Sequence, residues 1–429
     1  MTSFNQAQAQ SEPSFSNISK HLYVQFSVRP FRHARVAWLN KRWFSANGVD
    51  CSIKDQRDSI EKWLVDNFGV SVPGEDDPDG QYASEERQLY ADRYGAPAGT
   101  VSGGSGRVGT LGAFNAKGIG RTPLVALQTD WYHSHGCMFL EEAIREAVLS
   151  EVCAAIFPYG AVPTIAVIDT GARLRWRDGT YGARRAIIVR PTFLRIAHFM
   201  RTIFFGTSGC PESDQVADAA SVRDMWRTIS AEALQKAFST AGAQYGFGNA
   251  LRLWPGPFFV SNFTLNGALV DFGSFRALPN WFRAKGESRA HCFGGETTLV
   301  AAAARSLARN AFCADVSIQA DDLTEQFHLG FETGFATALQ QNGIEQGSSF
   351  AQELEFVRYR QQRQVVDLAG GNLEGVQIGN LRPRTNLYRE VLLAETEAMI
   401  ASLDEAIGSD ISPIARFIDD YVAKSIDNS

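Results

Sequence analysis

A glycine pattern and a lysine follow each other in the first third of this 429-residue sequence. The segment Gly104-Ser-Gly106-Arg-Val-Gly109 has the spacing G-x-G-x-x-G, and Lys117 lies eight residues beyond it. Glycines at this spacing let main-chain N–H groups approach phosphate oxygens, and a lysine supplies a point charge for the same oxygens. The two features predict a phosphate-binding site. A plain turn and a dinucleotide-binding unit are the alternatives, but a preceding strand and a later acidic residue, which the dinucleotide unit needs, are missing from the pattern.

Glu146 is the candidate partner of Lys117. Residues 140–157 carry apolar side chains at helical spacing, which predicts an amphipathic helix. Glu146 lies on the edge of the buried face of this helix, where a carboxylate needs a cation. Glu141 and Glu142 in the same helix are interpreted as solvated charges.

Asn262 and Asp271 provide two oxygen ligands nine residues apart. Asn266 and Gly267 between them predict the turn of a hairpin, so the two side chains should lie on its two arms. Mg²⁺ takes a few protein oxygens together with phosphate and water, and these residues therefore predict a magnesium site, with Mn²⁺ as a possible substitute.

The order of these features is that of the protein kinases: a glycine loop, a strand lysine, a helix glutamate, and an asparagine followed by Asp271-Phe-Gly273. The sequence is β-rich before residue 205, where strands are predicted at 163–170 and 184–190 on either side of a hairpin at 171–183. Helical spacing is found over 213–243 and again after Glu296, including segments within 351–407. The sequence therefore predicts an α+β, protein-kinase-like bilobal fold with a β-rich N-terminal lobe, a helical C-terminal lobe and extra C-terminal helices. The H-R-D signature of kinases is missing, because the residues before Asn262 read Pro257-Phe-Phe-Val-Ser261.

Several segments resemble the selenoprotein O (YdiU) family, whose members have a pseudokinase fold and transfer AMP from ATP to protein hydroxyls. The most specific is Lys117-Gly-Ile-Gly-Arg-Thr-Pro123, which is similar to the family's K-G-x-G-x-T-P. The likeness runs in patches from about residue 21 to residue 280 and includes FSVRPFRHARVAWLN, Gly104-Ser-Gly-Arg107, Pro191-Thr-Phe-Leu-Arg195-Ile-Ala-His-Phe199 and the hairpin Asn262 to Gly273.

The resemblance implies a role for each matching residue. ATP and Mg²⁺ would be the cofactors, and a protein or peptide would accept the AMP. The family binds ATP with its γ-phosphate buried and its α-phosphate presented, so adenylyl rather than phosphoryl is moved. Asn262 and Asp271 would hold Mg²⁺, with Lys117, Glu146 and Asp271 as the catalytic set. The implied triphosphate contacts are Gly104, Gly106, Arg107, Lys117, Gly136, Arg190 and Arg195.

Three departures from the family pattern bear on activity. The acid that precedes the metal-binding asparagine is Ser261 here, and a serine is no general base near pH 7. The family's D-G-R turn reads His135-Gly136-Cys137, and its redox-active C-terminal Cys or selenocysteine is missing, because the last cysteine is Cys313. A non-catalytic nucleotide-binding or partner-binding module and an ordinary γ-phosphate-transferring kinase are therefore open alternatives. A zinc site at His133, His135 and Cys137 lacks further ligands at a suitable spacing.

Composition limits the other function classes. The net charge of −6 and the pI near 5.7 give no basic excess for nucleic acid, and apolar runs fall short of a membrane span. Six scattered cysteines and the lack of a secretory signal predict a cytoplasmic protein. The expected organisation is a disordered tail (1–20), an N-terminal lobe (21–205), and a C-terminal lobe (206–429) that contains the metal-binding hairpin (256–275).

Overall fold

The structure is a computed structural model that describes residues 12–74, 77, 80–95, 103–125, 129, 134–175, 180–202, 212–251, 253–277, 295–344 and 411–427. Its strands are β1 (Tyr23–Pro30), β2 (Arg35–Leu39), β3 (Val70–Ser71), β4 (Arg87–Asp92), β5 (Val108–Leu111), β6 (Phe114–Lys117), β7 (Met138–Phe139), β8 (Ala166–Arg175), β9 (Tyr181–Pro191), β10 (Leu253–Trp254) and β11 (Arg276–Ala277). Its helices are α1 (Lys41–Ala46), α2 (Lys54–Phe68), α3 (Leu140–Ile156), α4 (Glu212–Thr228), α5 (Ala231–Leu251), α6 (Glu296–Phe312), α7 (Ala320–Gln341) and α8 (Ser412–Asp427).

The first half of the chain forms an antiparallel sheet in the order β2-β8-β9-β6-β5-β4-β1-β3, and β7 pairs with β9. The described residues of the second half are mainly helical, with a short β10–β11 pair. The predicted α+β class is therefore confirmed. The strands predicted at 163–170 and 184–190 are longer in the structure. Strand β8 continues to Arg175 and β9 begins at Tyr181, so both extend into the hairpin expected at 171–183.

The sheet separates two hydrophobic cores. Alternate side chains of a strand point to opposite faces, so Phe114 and Ala116 of β6 pack into one core with α2, while Ile188 of β9 packs into the other with α3. Helix α3 has the predicted apolar face, and Ile144 and Val148 are 1% exposed. Burial of each such side chain is worth about 1.5–3 kcal/mol, which fixes the rotation of α3 over the sheet.

Helices α5 and α7 pack at unusually short range because glycines line their contact. A Cβ atom at Gly246 would lie 1.9 Å from the Phe331 carbonyl oxygen, and one at Gly334 would lie 1.9 Å from the Ala243 carbonyl oxygen. Helix α5 also corrects the sequence prediction of one helical stretch over 213–243. That stretch contains two helices, α4 and α5, and α5 continues through Leu251.

The ends of the described chain pack onto the fold. Ser14 donates to the Gly112 carbonyl oxygen and Ser19 to Asp224, so these two residues of the expected tail (1–20) contact the fold. Helix α8 packs on α3 and β2, where Trp38 Nε1 donates to Asp419 at 2.8 Å. The C-terminal end of the predicted helical lobe thus contacts the sheet. Helices predicted within 351–407 lie outside the described residues.

Within the described parts of the chain, no helix is long and apolar enough to cross a membrane.

Candidate functional site

Lys117 ends strand β6 and points to the face of the sheet that α3 covers. It alternates with Ala116, which is buried in the opposite core, and it shares its face with Asn115 two residues earlier. Asn115 is paired in register with Arg190 of β9, and Arg190 Nε donates to Asn115 Oδ1 at 2.9 Å. The β6–β9 ladder therefore brings Lys117 and Arg190 to one side of the sheet.

The predicted ion pair between Lys117 and Glu146 is present. The Lys117 ammonium donates to Glu146 Oε1, and both side chains are only 3% exposed. Arg190 lies 3.8 Å from the other oxygen of the same carboxylate. Burial raises the pKa of the Glu146 carboxyl, and the Lys117 charge opposes that rise. The pair thus places a buried cation beside a carboxylate that holds it in position.

Glu142 is a part of the site that the sequence analysis assigned to solvent. It lies one turn before Glu146 on the same helix face, where Arg107 binds it through two hydrogen bonds of 2.6 and 3.2 Å. It is also 3.9 Å from the Lys117 ammonium. Burial raises the pKa of Glu142, but Arg107 and Lys117 outweigh it and hold this pKa below its usual value. Arg107, which was predicted to contact a triphosphate, is therefore paired with the Glu142 carboxylate in this structure.

Arg190 and Arg195 share an aromatic support. The Arg190 guanidinium lies 5.2 Å from the centre of the Phe193 ring, and the Arg195 guanidinium lies 4.7 Å from the same ring. The other neighbour of Arg195 is the Tyr94 ring, at 4.9 Å. Burial lowers the pKa of Arg190, against the attraction of Glu146. Two largely buried guanidinium groups on aromatic faces are suited to binding an anion with several oxygens.

The hairpin with Asn262 and Asp271 forms as predicted. Val270 N–H donates to the Asn262 carbonyl oxygen at 2.9 Å, and Gly267 at the turn has a positive φ of 85°. The side chain of Asn262 accepts a hydrogen bond from the Ser261 hydroxyl at 3.3 Å. Arg195 NH1 donates to the Ser261 carbonyl oxygen, so this arginine ties the segment after β9 to the start of the hairpin.

Asp271 reaches the lysine from the hairpin. Its Oδ1 lies 3.4 Å from the Lys117 ammonium, and its side chain is 40% exposed, so a ligand can reach it. Partial desolvation by the surrounding side chains would raise the pKa of this carboxyl, but Lys117 and the guanidinium groups of Arg107, Arg190 and Arg195 hold it well below the usual range. Its positive φ of 68° is a conformation that aspartate adopts more readily than most residues. The group is therefore an ionised carboxylate, as a magnesium ligand must be.

The glycines of the predicted phosphate loop are explained in part by close packing. Gly104 has a φ of 146°, and a Cβ atom there would lie 2.1 Å from the Asp92 carbonyl oxygen. Gly106 accepts a hydrogen bond from Thr122 N–H at 3.1 Å through its carbonyl oxygen. Gly136 has a φ of 69° and packs against the Gly120 backbone, so the strand extension after Lys117 also requires glycine. Through these contacts the glycine segments pack close to the end of β6, where Lys117 lies.

The charged groups of the cluster are close to balance. The cationic groups Lys117, Arg107, Arg190 and Arg195 face the carboxylates Glu142, Glu146 and Asp271, and Asp92 interacts with Arg195 as a fourth carboxylate. The described residues contain no group of three or more His, Cys, Asp or Glu side chains that could hold a metal ion. A site that uses one asparagine and one aspartate fits Mg²⁺ carried by a polyphosphate, which brings most of the ligand oxygens itself.

The proposed zinc alternative gains nothing from the geometry. His135 Nδ1 accepts a hydrogen bond from Cys137 N–H at 2.9 Å, which closes a local turn. Burial raises the pKa of the Cys137 thiol, which disfavours the thiolate that zinc binds. His133 lies outside the described residues.

Sequence reasoning missed several members of the cluster. Asn115 could have been found from its alternation with Lys117 along β6, and Glu142 from its four-residue spacing to Glu146. Phe193 and Tyr94 gave no comparable signal, because their role depends on tertiary contacts with the two arginines.

A scan of known protein families finds no match to this chain, and a search of curated proteins finds none either. The function is therefore argued from the site residues and the quoted motifs.

Proposed function

We propose that this chain is an ATP- and Mg²⁺-dependent nucleotidyltransferase that moves AMP to a hydroxyl group of a protein or peptide. The observation that carries the proposal is the meeting of Lys117, Glu146 and Asp271 from three separate parts of the chain. A strand lysine, a helix glutamate and a hairpin aspartate that meet in this way have the roles of the lysine, glutamate and metal-binding aspartate of protein kinases. This comparison supports a kinase-like, two-lobed arrangement as part of the proposal.

The positive side of the cluster supports binding of a triphosphate. Arg190 and Arg195 add two guanidinium groups to the single lysine that kinase chemistry needs, and each can bind two phosphate oxygens. Both are at least nine-tenths buried, which suits a phosphate held away from water. If these arginines hold the terminal phosphate, the α-phosphate is the one left toward the acceptor. In this orientation the acceptor hydroxyl oxygen bonds to the α-phosphorus, the bond from that phosphorus to the oxygen bridging to the β-phosphate breaks, and pyrophosphate leaves, so AMP is the group transferred.

The residues of the chain would contribute mainly position and charge. Asn262 and Asp271 would hold Mg²⁺, which neutralises phosphate charge when bound. Lys117 and the two arginines would stabilise negative charge that develops on the phosphate oxygens, and their contacts with Glu146, Asn115 and Phe193 hold them ready for it. Orientation of the acceptor hydroxyl against the phosphorus accounts for a further part of the rate.

A non-catalytic nucleotide-binding module is the second candidate, and Ser261 favours it. The residue before Asn262 has no carboxylate, and its carbonyl oxygen is bonded to Arg195. An acceptor hydroxyl would therefore lose its proton without help from this position, so slow transfer or none is expected.

Calorimetry of the full chain with ATP, in the presence and absence of Mg²⁺, tests the binding part of the proposal. Wild type should bind ATP more tightly with Mg²⁺. Asp271→Asn, which keeps the shape but removes the charge, should lower Mg-ATP affinity by at least about tenfold, or 1.4 kcal/mol. Asp58→Asn, on the exposed face of α2, is the matched control and should bind like wild type. Equal affinity of wild type and Asp271→Asn would contradict the assigned metal site.

A further inference from the structure

A buried aspartate–histidine pair lies behind Arg195. His198 is 1% exposed and belongs to a short 3-10 helix, Ile196–Phe199. Its Nε2 lies 3.0 Å from Asp92 Oδ2, and Asp92 ends strand β4. The pair joins the sheet to the segment that follows β9, and nothing in the proposed reaction uses it directly.

The hydrogen bonds of His198 define its protonation pattern. Arg195 N–H donates to His198 Nδ1 at 2.8 Å, so Nδ1 is an acceptor. The other ring nitrogen, Nε2, must then carry the proton that it donates to the Asp92 carboxylate. Asp92 thus fixes the orientation of the imidazole ring, and the ring fixes the main chain of Arg195.

The side chain of Arg195 depends on that fixed backbone. Its guanidinium lies between the rings of Tyr94 and Phe193, and it reaches Ser261 through NH1. Its Nε is buried and has no hydrogen-bond partner among the described residues. Tyr94 also contacts the imidazole of His198, with ring centres 5.5 Å apart. The guanidinium is therefore held between two rings, and its Nε is a buried donor without a partner among the described residues, which costs free energy.

We infer that Asp92 and His198 are positioning residues that aim Arg195 at the terminal phosphate of the bound nucleotide. This inference rests on the proposed function. Neither residue touches the nucleotide. Asp92 orients His198, His198 holds the Arg195 main chain, and the Arg195 side chain makes the phosphate contact. The pair would therefore set the preference for a nucleoside triphosphate over a diphosphate.

The experiment compares the affinities of the full chain for Mg-ATP and Mg-ADP by calorimetry. His198→Ala should lower Mg-ATP affinity by about tenfold, the effect of about one hydrogen bond to a charged group, and leave Mg-ADP affinity nearly unchanged. In an Arg195→Ala background the same substitution should cause no further loss, because it acts only through Arg195. Asp218→Asn changes another buried carboxylate, one that Arg201 binds at 3.1 Å, and serves as the control for a general loss of stability.

A conservative pair of variants covers the case in which His198→Ala does not fold. Asp92→Asn keeps an oxygen that accepts from His198 Nε2 and should keep the preference for ATP over ADP, whereas Asp92→Ala should lose it. Equal losses for ATP and ADP, an added loss in the Arg195→Ala background, or no loss at all would overturn the positioning role while the proposed function stands. A wild-type protein that binds no Mg-ATP would overturn both.

Discussion

Removal of the Lys117 charge should leave Glu146 as a buried carboxylate without its main ion-pair partner. In Lys117→Met the side chain keeps its length, and the nearest remaining cation is Arg190, 3.8 Å from Glu146 Oε2. Loss of one partner of a buried ion pair commonly costs 3–5 kcal/mol, and we expect roughly 3 kcal/mol at pH 8 because Arg190 offsets a part of it.

The loss of stability in Lys117→Met should increase as the pH rises. Burial already raises the pKa of Glu146, and loss of Lys117 raises it further. Between the unfolded pKa, about 4.3 for a glutamate, and this raised value, the folded state binds the proton more tightly, so stability falls as the pH rises through that window. Lys117→Met should therefore be destabilised more at pH 8 than at pH 5, relative to wild type.

A matched double variant removes the negative charge of Glu146 as well. Lys117→Met/Glu146→Gln should recover roughly 2 of the 3 kcal/mol at pH 8, since a neutral amide needs no counter-ion. Urea unfolding of wild type, Lys117→Met and the double variant at both pH values gives the free energies directly. Equal destabilisation at pH 5 and pH 8, with no recovery in the double variant, would refute the argument that the two groups depend on each other.

The remaining predictions concern the base position, the Arg107 pair and the helix packing. Ser261→Asp should raise AMP transfer by about 10² to 10⁴, the usual value of general-base assistance, as measured by intact mass; an unchanged rate would mean that another group already takes the proton. Glu142→Gln should tighten Mg-ATP binding by about two- to fivefold, because Arg107 would no longer have to break its ion pair with Glu142 to bind phosphate, and a partly exposed ion pair is worth up to about 1 kcal/mol. Weaker binding would contradict the idea that Glu142 and phosphate compete for Arg107. Gly246→Ala should destabilise the protein to urea by about 1–3 kcal/mol through overpacking against α7, and unchanged stability would contradict the close helix contact.

Helix α3, the Asn262–Asp271 hairpin and the α+β class followed from the sequence because they depend on local patterns. The apolar spacing of residues 140–157 placed α3 within one residue, and the Asn266–Gly267 turn placed the hairpin. Element lengths were less predictable. Helix α5 continues through Gly242 and Gly246, which locally disfavour a helix, because its close packing on α7 leaves no room for a Cβ atom at these two positions.

The candidate site was predictable where residue order carries the information. Lys117 and Glu146 were paired from motif order and Asp271 was grouped with them, and the structure brings the three side chains together. Glu142 was misjudged because its partner Arg107 is remote in sequence and only the fold brings them together. The contact between His198 and Asp92, 106 residues apart, left no trace in the local sequence for the same reason.

The most direct test of the central claim is incubation of the full chain with a mixture of protein and peptide acceptors and ATP labelled either at the α-phosphate or at the γ-phosphate, with Mg²⁺ and with Asp271→Asn as the inactive control. We expect that label from α-labelled ATP becomes covalently attached to a hydroxyl, slowly in wild type and faster in Ser261→Asp, with none from γ-labelled ATP. Label from γ-labelled ATP alone would show that phosphoryl is transferred instead, and no label from either nucleotide in wild type and Ser261→Asp, with ATP bound, would show a non-catalytic nucleotide-binding protein.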